Sequence, residues 1–290
     1  MGQTRIKAYL YTFLIIFLIS PNYISSAKAD IIPIDYRGTA GFVPVENDHL
    51  ILTNANVVFD INYRESANKI YLHIEANYTI YNPNESKYIT LGAPFSSAFN
   101  NIKDSCLIKV NESSIPFNVI QQDIWDAPWD KYHDFYYQGQ FNRKFIVVNL
   151  SIPGSNSLNI RYIFDSYISN PNFRSDYIYI YYDIGTSRAW NGPITEKVEF
   201  RVIGKQPKSY SDYNCTITNI VNGKSYVWEW KNEIININGV FISYSNYWIM
   251  VLTRLSPFII FGSFIGVSII LILLYKRKQR KKNIHGCKIL

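Results

Sequence analysis

The segment QQDIWDAPWDKYHDFYYQGQ, Gln121 to Gln140, gathers the densest set of chemically capable side chains in the sequence. Asp123, Asp126, Asp130 and Asp134 stand with His133 among Trp125, Trp129, Tyr132, Phe135, Tyr136 and Tyr137. Carboxylate oxygens could ligate a hard cation such as calcium. Two acids flanking a glycosidic bond could cleave it, and the rings could stack on the sugar. Trp125, Asp126, Trp129, Asp130, Tyr132, His133 and Asp134 are therefore the ligand-contact candidates. Their spacing follows no metal loop, so no metal, no cofactor and no catalytic residue is assigned. Loop aromatics more often tuck against the edge of a fold, and exposed aspartates are more often only solvated.

Other enzyme signatures are missing. The chain has no G-x-S-x-G elbow, no H-E-x-x-H, no phosphate loop and no paired C-x-x-C. His49, His73 and His133 are far apart in sequence, and His73 reads as the solvent side of a strand. A binding or structural role is thus expected ahead of catalysis, with a surface glycan hydrolase using acids of the 121–140 segment as the alternative. A second site-like stretch, YDIGTSRAWNGPITEKVEF from Tyr182 to Phe200, sets Arg188 beside Trp190. Gly185, Asn191, Gly192 and Pro193 mark it as a connection between two strands, with Trp190 packing on the sandwich edge.

The elements that must position these groups are strands. Short runs rich in Ile, Val, Tyr, Phe and Thr recur between residues 30 and 250, with no long stretch of helical periodicity. They predict strands over Ile51–Ile61, Lys69–Tyr81, Tyr88–Leu91, Cys106–Val110, Phe117–Gln121, Lys144–Ile152, Ser157–Phe164, Tyr177–Ile184, Thr195–Ile203, Asn214–Val221, Ser225–Trp230 and Val240–Tyr244. In one of them Leu72, Ile74, Ala76, Tyr78 and Ile80 alternate with His73, Glu75, Asn77 and Thr79, so one face meets a core and the other water. Asn222-Gly223 and Asn238-Gly239 fit two-residue hairpin turns. The expected fold is all-β, as one large or two tandem β-sandwich domains, with any internal boundary near 122–142.

Both termini read as membrane signals. Arg5 and Lys7 precede an apolar run, Leu10 to Ile19, and Ala27-Lys28-Ala29 supplies small residues for cleavage, so residues 1–29 read as a secretory signal peptide. Ser256 to Tyr275 carries no charge over about 20 residues, the length a helix needs to cross a bilayer. A basic tail, 276–290, follows and stays on the cytoplasmic side. The expected topology is single-pass type I in the cell membrane, with residues 30–255 outside.

Charge and cysteine usage follow that division. Three of the 29 Lys and Arg lie in the leader and seven after the span, whereas all 22 Asp and Glu lie between, leaving 19 bases against 22 acids outside. The formal net charge of +7 is topology, and nucleic acid is excluded as a partner. Cys106 and Cys215 fall in an oxidising compartment and are a candidate disulfide, while Cys287 falls in a reducing one. Cys287-Lys288-Ile289-Leu290 fits a prenylation pattern, which a spanning protein does not need. Asn77, Asn84, Asn111, Asn149 and Asn214 begin N-glycosylation triplets, barely more than chance gives a chain with 28 Asn. Gly262 and Gly266 form a G-x-x-x-G that could pair two spans into a dimer.

Three segments carry a resemblance. GFVPVENDHLILTNANVVFDI, HIEANYTIYNPNESKYITLGAP and IYYDIGTSRAWNGPI, between Gly41 and Phe200, resemble β-rich membrane-anchored envelope proteins of unknown function from archaea and bacteria. The resemblance implies a β-rich surface domain and brings no catalytic residues. With the topology it predicts a cell-surface protein that meets an extracellular ligand or an envelope protein.

Overall fold

Alternation of side-chain type along each strand sets the architecture. In Lys69–Asn82 the residues Leu72, Ile74, Ala76, Tyr78 and Ile80 are at most 2% exposed, while His73, Glu75, Asn77 and Thr79 reach solvent on the other face. The computed structural model describes residues 34–40, 42–44, 49–96, 102–123, 142–169, 177–184, 189–245, 262 and 265–277.

In chain order the strands are β1 (Ile34–Ala40), β2 (Val43–Pro44), β3 (Ile51–Arg64), β4 (Lys69–Asn82), β5 (Lys87–Ser96), β6 (Cys106–Val110), β7 (Ser113–Ser114) and β8 (Asn118–Asp123). They continue as β9 (Asn142–Ile152), β10 (Asn156–Ser169), β11 (Tyr177–Asp183), β12 (Ile194–Gly204), β13 (Ser209–Tyr210), β14 (Cys215–Ile220), β15 (Gly223–Glu233) and β16 (Gly239–Ser245). Each strand expected from the sequence is present, and β1, β2, β7 and β13 are additional.

Two sheets form. The first runs β13, β16, β11, β1, β5, β9, β8, with β2 on β5, and the second runs β14, β15, β12, β3, β4, β10, β6, β7. Their inner faces pack together into one sandwich. Phe59 of the second sheet meets Tyr182 of the first at 6.1 Å, Phe95 of the first meets Phe164 of the second at 5.3 Å, and Tyr63 meets Tyr244 at 5.2 Å. Strands β1 to β10 fill one side of both sheets and β11 to β16 the other. Parallel pairs β1 with β11 and β3 with β12 join the two sides. At one end of the sandwich Ile34, Tyr177 and Ser245 stand in one row across three strands.

β8 and β9, on either side of segment 124–141, are hydrogen-bonded neighbours in one sheet, and the segment itself lies outside the described residues. Two expectations are corrected. Asn222-Gly223 turns the hairpin from β14 to β15, with Asn222 at φ 60°, but Asn238-Gly239 is no hairpin, because β15 and β16 belong to different sheets. Gly239 is instead needed for close approach: a Cβ there would stand 2.4 Å from the Tyr181 ring. Cys106 and Cys215 are both free. They sit on β6 and β14, six strand spacings apart in one sheet, or about 29 Å at ~4.8 Å per strand, far beyond the roughly 7 Å a disulfide can span.

At the C-terminus residues 265–277 are helical, and their apolar side chains from Ile269 to Leu274 are each about half exposed or more. No helix among the described residues is long and apolar enough to cross a membrane. Residues 256–261, 263 and 264, the leader 1–29 and residues 278–290 of the tail lie outside the described residues.

Phe59 also meets Phe200 across the parallel joint at 4.5 Å, so it touches both sheets and both sides. Phe59→Ala is expected to cost about 3–5 kcal/mol, read as a lower midpoint in urea unfolding. Burial raises the Cys106 thiol to about 12 and the Cys215 thiol to about 11. Both should react slowly with a thiol reagent at neutral pH and fully after denaturation, with gel mobility unchanged by reductant; a mobility shift would restore the bridge.

Candidate functional site

The residues predicted to touch a ligand, Trp125, Asp126, Trp129, Asp130, Tyr132, His133 and Asp134, lie outside the described residues. Two other groupings are built by the fold, one on the surface and one inside.

The surface grouping lies on the outer face of the second sheet. Odd-numbered positions of β4 and β10 point outward, which lines up Tyr71, His73 and Glu75 on one strand beside Arg161, Asp165 and Tyr167 on the next. Asp60 and Asn62 of β3 and Ile203 of β12 complete an open depression of about 390 Å³. His73 Nδ1 lies 2.8 Å from Asp165 Oδ1, and the strand register places these two directly opposite. The rings of Tyr71 and Tyr167 are also directly opposite, 6.4 Å apart and tilted by 42°. Tyr167 is 56% exposed, so an aromatic face is offered to solvent next to a carboxylate, an imidazole and an amide.

Ion pairs fix the surroundings. Arg161 donates to Glu75 at 2.9 Å. Glu199 accepts from Arg201 at 3.0 Å, from Lys197 at 3.1 Å and from Ser225 at 2.7 Å. Burial works to raise the Glu199 carboxyl, but the hydrogen bonds from Arg201, Ser225 and Lys197 outweigh it and hold the group at about 2. Of these groups Arg201 reaches the depression, standing 3.7 Å from Asp60. No group of three or more His, Cys, Asp and Glu able to hold a metal occurs among the described residues.

The interior grouping lies between the sheets. Tyr78 and Tyr182 hydroxyls stand 3.3 Å apart, and Glu196, 2% exposed, accepts a hydrogen bond from Tyr182. Burial pushes the Glu196 carboxyl up to about 8; the Tyr182 bond opposes that shift and the nearby Asp183 adds to it. Burial also drives both tyrosines well above their ordinary value. Oε2 of Glu196 has no hydrogen-bond partner. Trp190 closes the region: its Nε1 donates to the Phe42 carbonyl at 2.9 Å and the ring is 5% exposed. In the connection from β11 to β12, Ala189 and Trp190 are therefore packed, while residues 185–188, Arg188 among them, lie outside the described residues.

Of the glycosylation triplets, Asn84, Asn111, Asn149 and Asn214 are exposed and Asn77 is half-buried on the outer face of β4, bonded to Glu75. Gly262 and Gly266 have open space where a Cβ would stand. The sequence alone does not bring out the surface depression as a site, although it puts His73 on the solvent side of its strand. Its pieces come from positions 60–62, 71–73, 165–167 and 203, and only strand register brings them together.

No protein-family model matches the sequence, and no curated protein matches it. Among solved structures the chain is similar to a candidate nutrient-binding protein from Legionella pneumophila, at 14% identity and a TM-score of 0.53, covering 72% of this chain and 71% of that one. It is also similar to an M1 zinc metallopeptidase from Deinococcus radiodurans, at 10% identity and a TM-score of 0.35, covering 68% of this chain and 42% of the other. The first likeness is one of fold; the second is too slight to carry chemistry to this chain.

The two glutamates of β12 give opposite pH dependences. Glu196, raised above its ordinary 4.5, contributes stability that is full below that value and is lost as pH rises toward about 8. Glu199, lowered to about 2, contributes stability that is present above 4.5 and is lost as pH falls through about 2. Thermal unfolding should therefore give a maximum near pH 4.5 to 5. Glu196→Gln should flatten the alkaline limb, with a gain on the order of 5 kcal/mol at pH 8 to 9. An alkaline limb unchanged in that variant would show that Glu196 is not its source.

Proposed function

We propose that the chain is a single-pass, type I cell-surface protein whose β-sandwich lies outside the membrane and works by binding. The anchoring part of this reading is supported by the uncharged run 256–275, by the helical, apolar and exposed residues 265–274 within it, and by the basic cluster that follows. Pairing of two spans through Gly262 and Gly266 fits the open space beside both glycines. The three segments that resemble envelope proteins fall on β2 and β3, on the hairpin of β4 and β5, and on β11 with its connection to β12.

The observation that carries the binding part is the outer-face depression. Tyr71 and Tyr167 offer ring surface beside His73, Asp165, Asp60 and Asn62, an arrangement that suits a ligand with both apolar faces and hydroxyl groups, as a saccharide has. The described residues favour binding over hydrolysis there, since His73 and Asp165 are bonded to each other and the buried Glu196 is out of reach of a ligand. The acidic and aromatic segment 121–140 remains a second contact surface in this proposal.

Binding of the full chain in lipid nanodiscs to an array of cell-envelope saccharides tests the reading. Tyr167→Ala and His73→Ala should each weaken capture of the retained saccharide about tenfold with an unchanged melting temperature. Equal capture by wild type and both variants would remove the depression from the binding role.

A further inference from the structure

A cluster of basic turns at one end of the second sheet identifies a second interaction surface. Five basic residues stand at the end where β16 terminates at Ser245: Arg64 and Lys69 flank the turn from β3 to β4, Lys205 and Lys208 follow β12, and Lys224 follows the turn from β14 to β15. The register places these turns together: Gly204 pairs with Tyr63, Ile203 with Gly223, and Lys208 N donates to the Ser243 carbonyl at 2.8 Å. Glu65, 3.3 Å from Lys205, is the acid on the same turns among the described residues. In the first sheet Asp35 and Asp123 stand toward the same end, so the basic cluster belongs to the turns of the second sheet and β12's exit. The turns at the opposite end mix Glu85, Glu112 and Glu233 with Lys87 and Lys231.

The basic end is also the aromatic one. Arg64 lies over Tyr71, Lys69 over Tyr167 and Lys205 over Tyr63, each 5.1 Å from the ring centre. Val221, 84% exposed at the tip of the β14 to β15 turn, projects an apolar side chain among the lysines. Lysine, arginine and tyrosine with an isolated aliphatic tip form the composition of a membrane interface. Only residues 246–255 separate Ser245 from the uncharged run, a tether that extends at most about 35 Å and carries Tyr247 and Trp248. The end from which it leaves is held close to whatever the run enters.

We infer that this end of the sandwich is a docking surface for the anionic headgroups of the bilayer that anchors the chain. The inference rests on the reading of 256–275 as a span. Arg64, Lys205, Lys208 and Lys224 meet lipid phosphates while Val221 settles at headgroup level. Each basic group near such a surface strengthens attraction about fivefold, and salt screens it.

Hydrogen exchange of the full chain, reconstituted in vesicles of phosphatidylcholine alone or mixed with phosphatidylglycerol, tests this. Turns 65–68, 205–208 and 221–224 should exchange several-fold more slowly in the anionic vesicles, and turns 84–86 and 153–155 should not change. High salt, or Lys205→Glu, Lys208→Glu and Lys224→Glu combined, should abolish the difference. Protein that stays in the vesicles through alkaline extraction yet exchanges equally in both lipids overturns the docking surface alone. Protein released by that extraction overturns the span, and the docking surface with it.

Discussion

Two parallel strand pairs, β1 beside β11 and β3 beside β12, are the constraint on which the rest of the fold depends. Parallel neighbours cannot be joined by a tight turn, so the chain must complete one side of both sheets before it returns to lay the other side alongside. β11 and β12 then enter different sheets, and the connection between them has to cross the thickness of the sandwich. Trp190 fills that crossing and is tied to the Phe42 carbonyl. Phe59, Phe200 and Tyr182 seal the joint from within, so neither side buries its core without the other.

Period-two alternation made much of this legible from sequence. The inward set of β4 and the existence of twelve strands follow from side-chain type alone, because a strand with one wet face must alternate. β1 was not legible: Ile34–Ala40 is short and half polar, and only its parallel partner β11 makes it a strand. β2, β7 and β13 are two-residue pairings with no pattern to read. Which strands neighbour one another was equally hidden, and that decided the cysteines. Cys106 and Cys215 looked like partners by compartment, but topology put six strand spacings between them. The surface depression failed to show for the same reason, since His73 and Asp165 meet through register across 92 residues of chain.

Glu196 and Glu199 show how much one residue type depends on the face it occupies. They lie three positions apart on β12, an odd spacing, so the strand sends them to opposite sides. Inside, Glu196 has a tyrosine hydroxyl and little else to solvate a charge, and it favours its proton. Outside, Glu199 is held by Arg201, Lys197 and Ser225, and it favours its charge. Neither behaviour could be assigned from the sequence TEKVEF until the inward phase of the strand was known.

The row formed by Ile34, Tyr177 and Ser245 has a consequence for how the domain is tethered. The first described strand begins and the last one ends in that row, at the same end of the sandwich, with β11 between them. Under the proposed topology, a leader that was cut away and a leader that stayed in the bilayer would present the domain the same way up. Loss of cleavage would add a second mooring line at the same pole and leave the distal turns where they were.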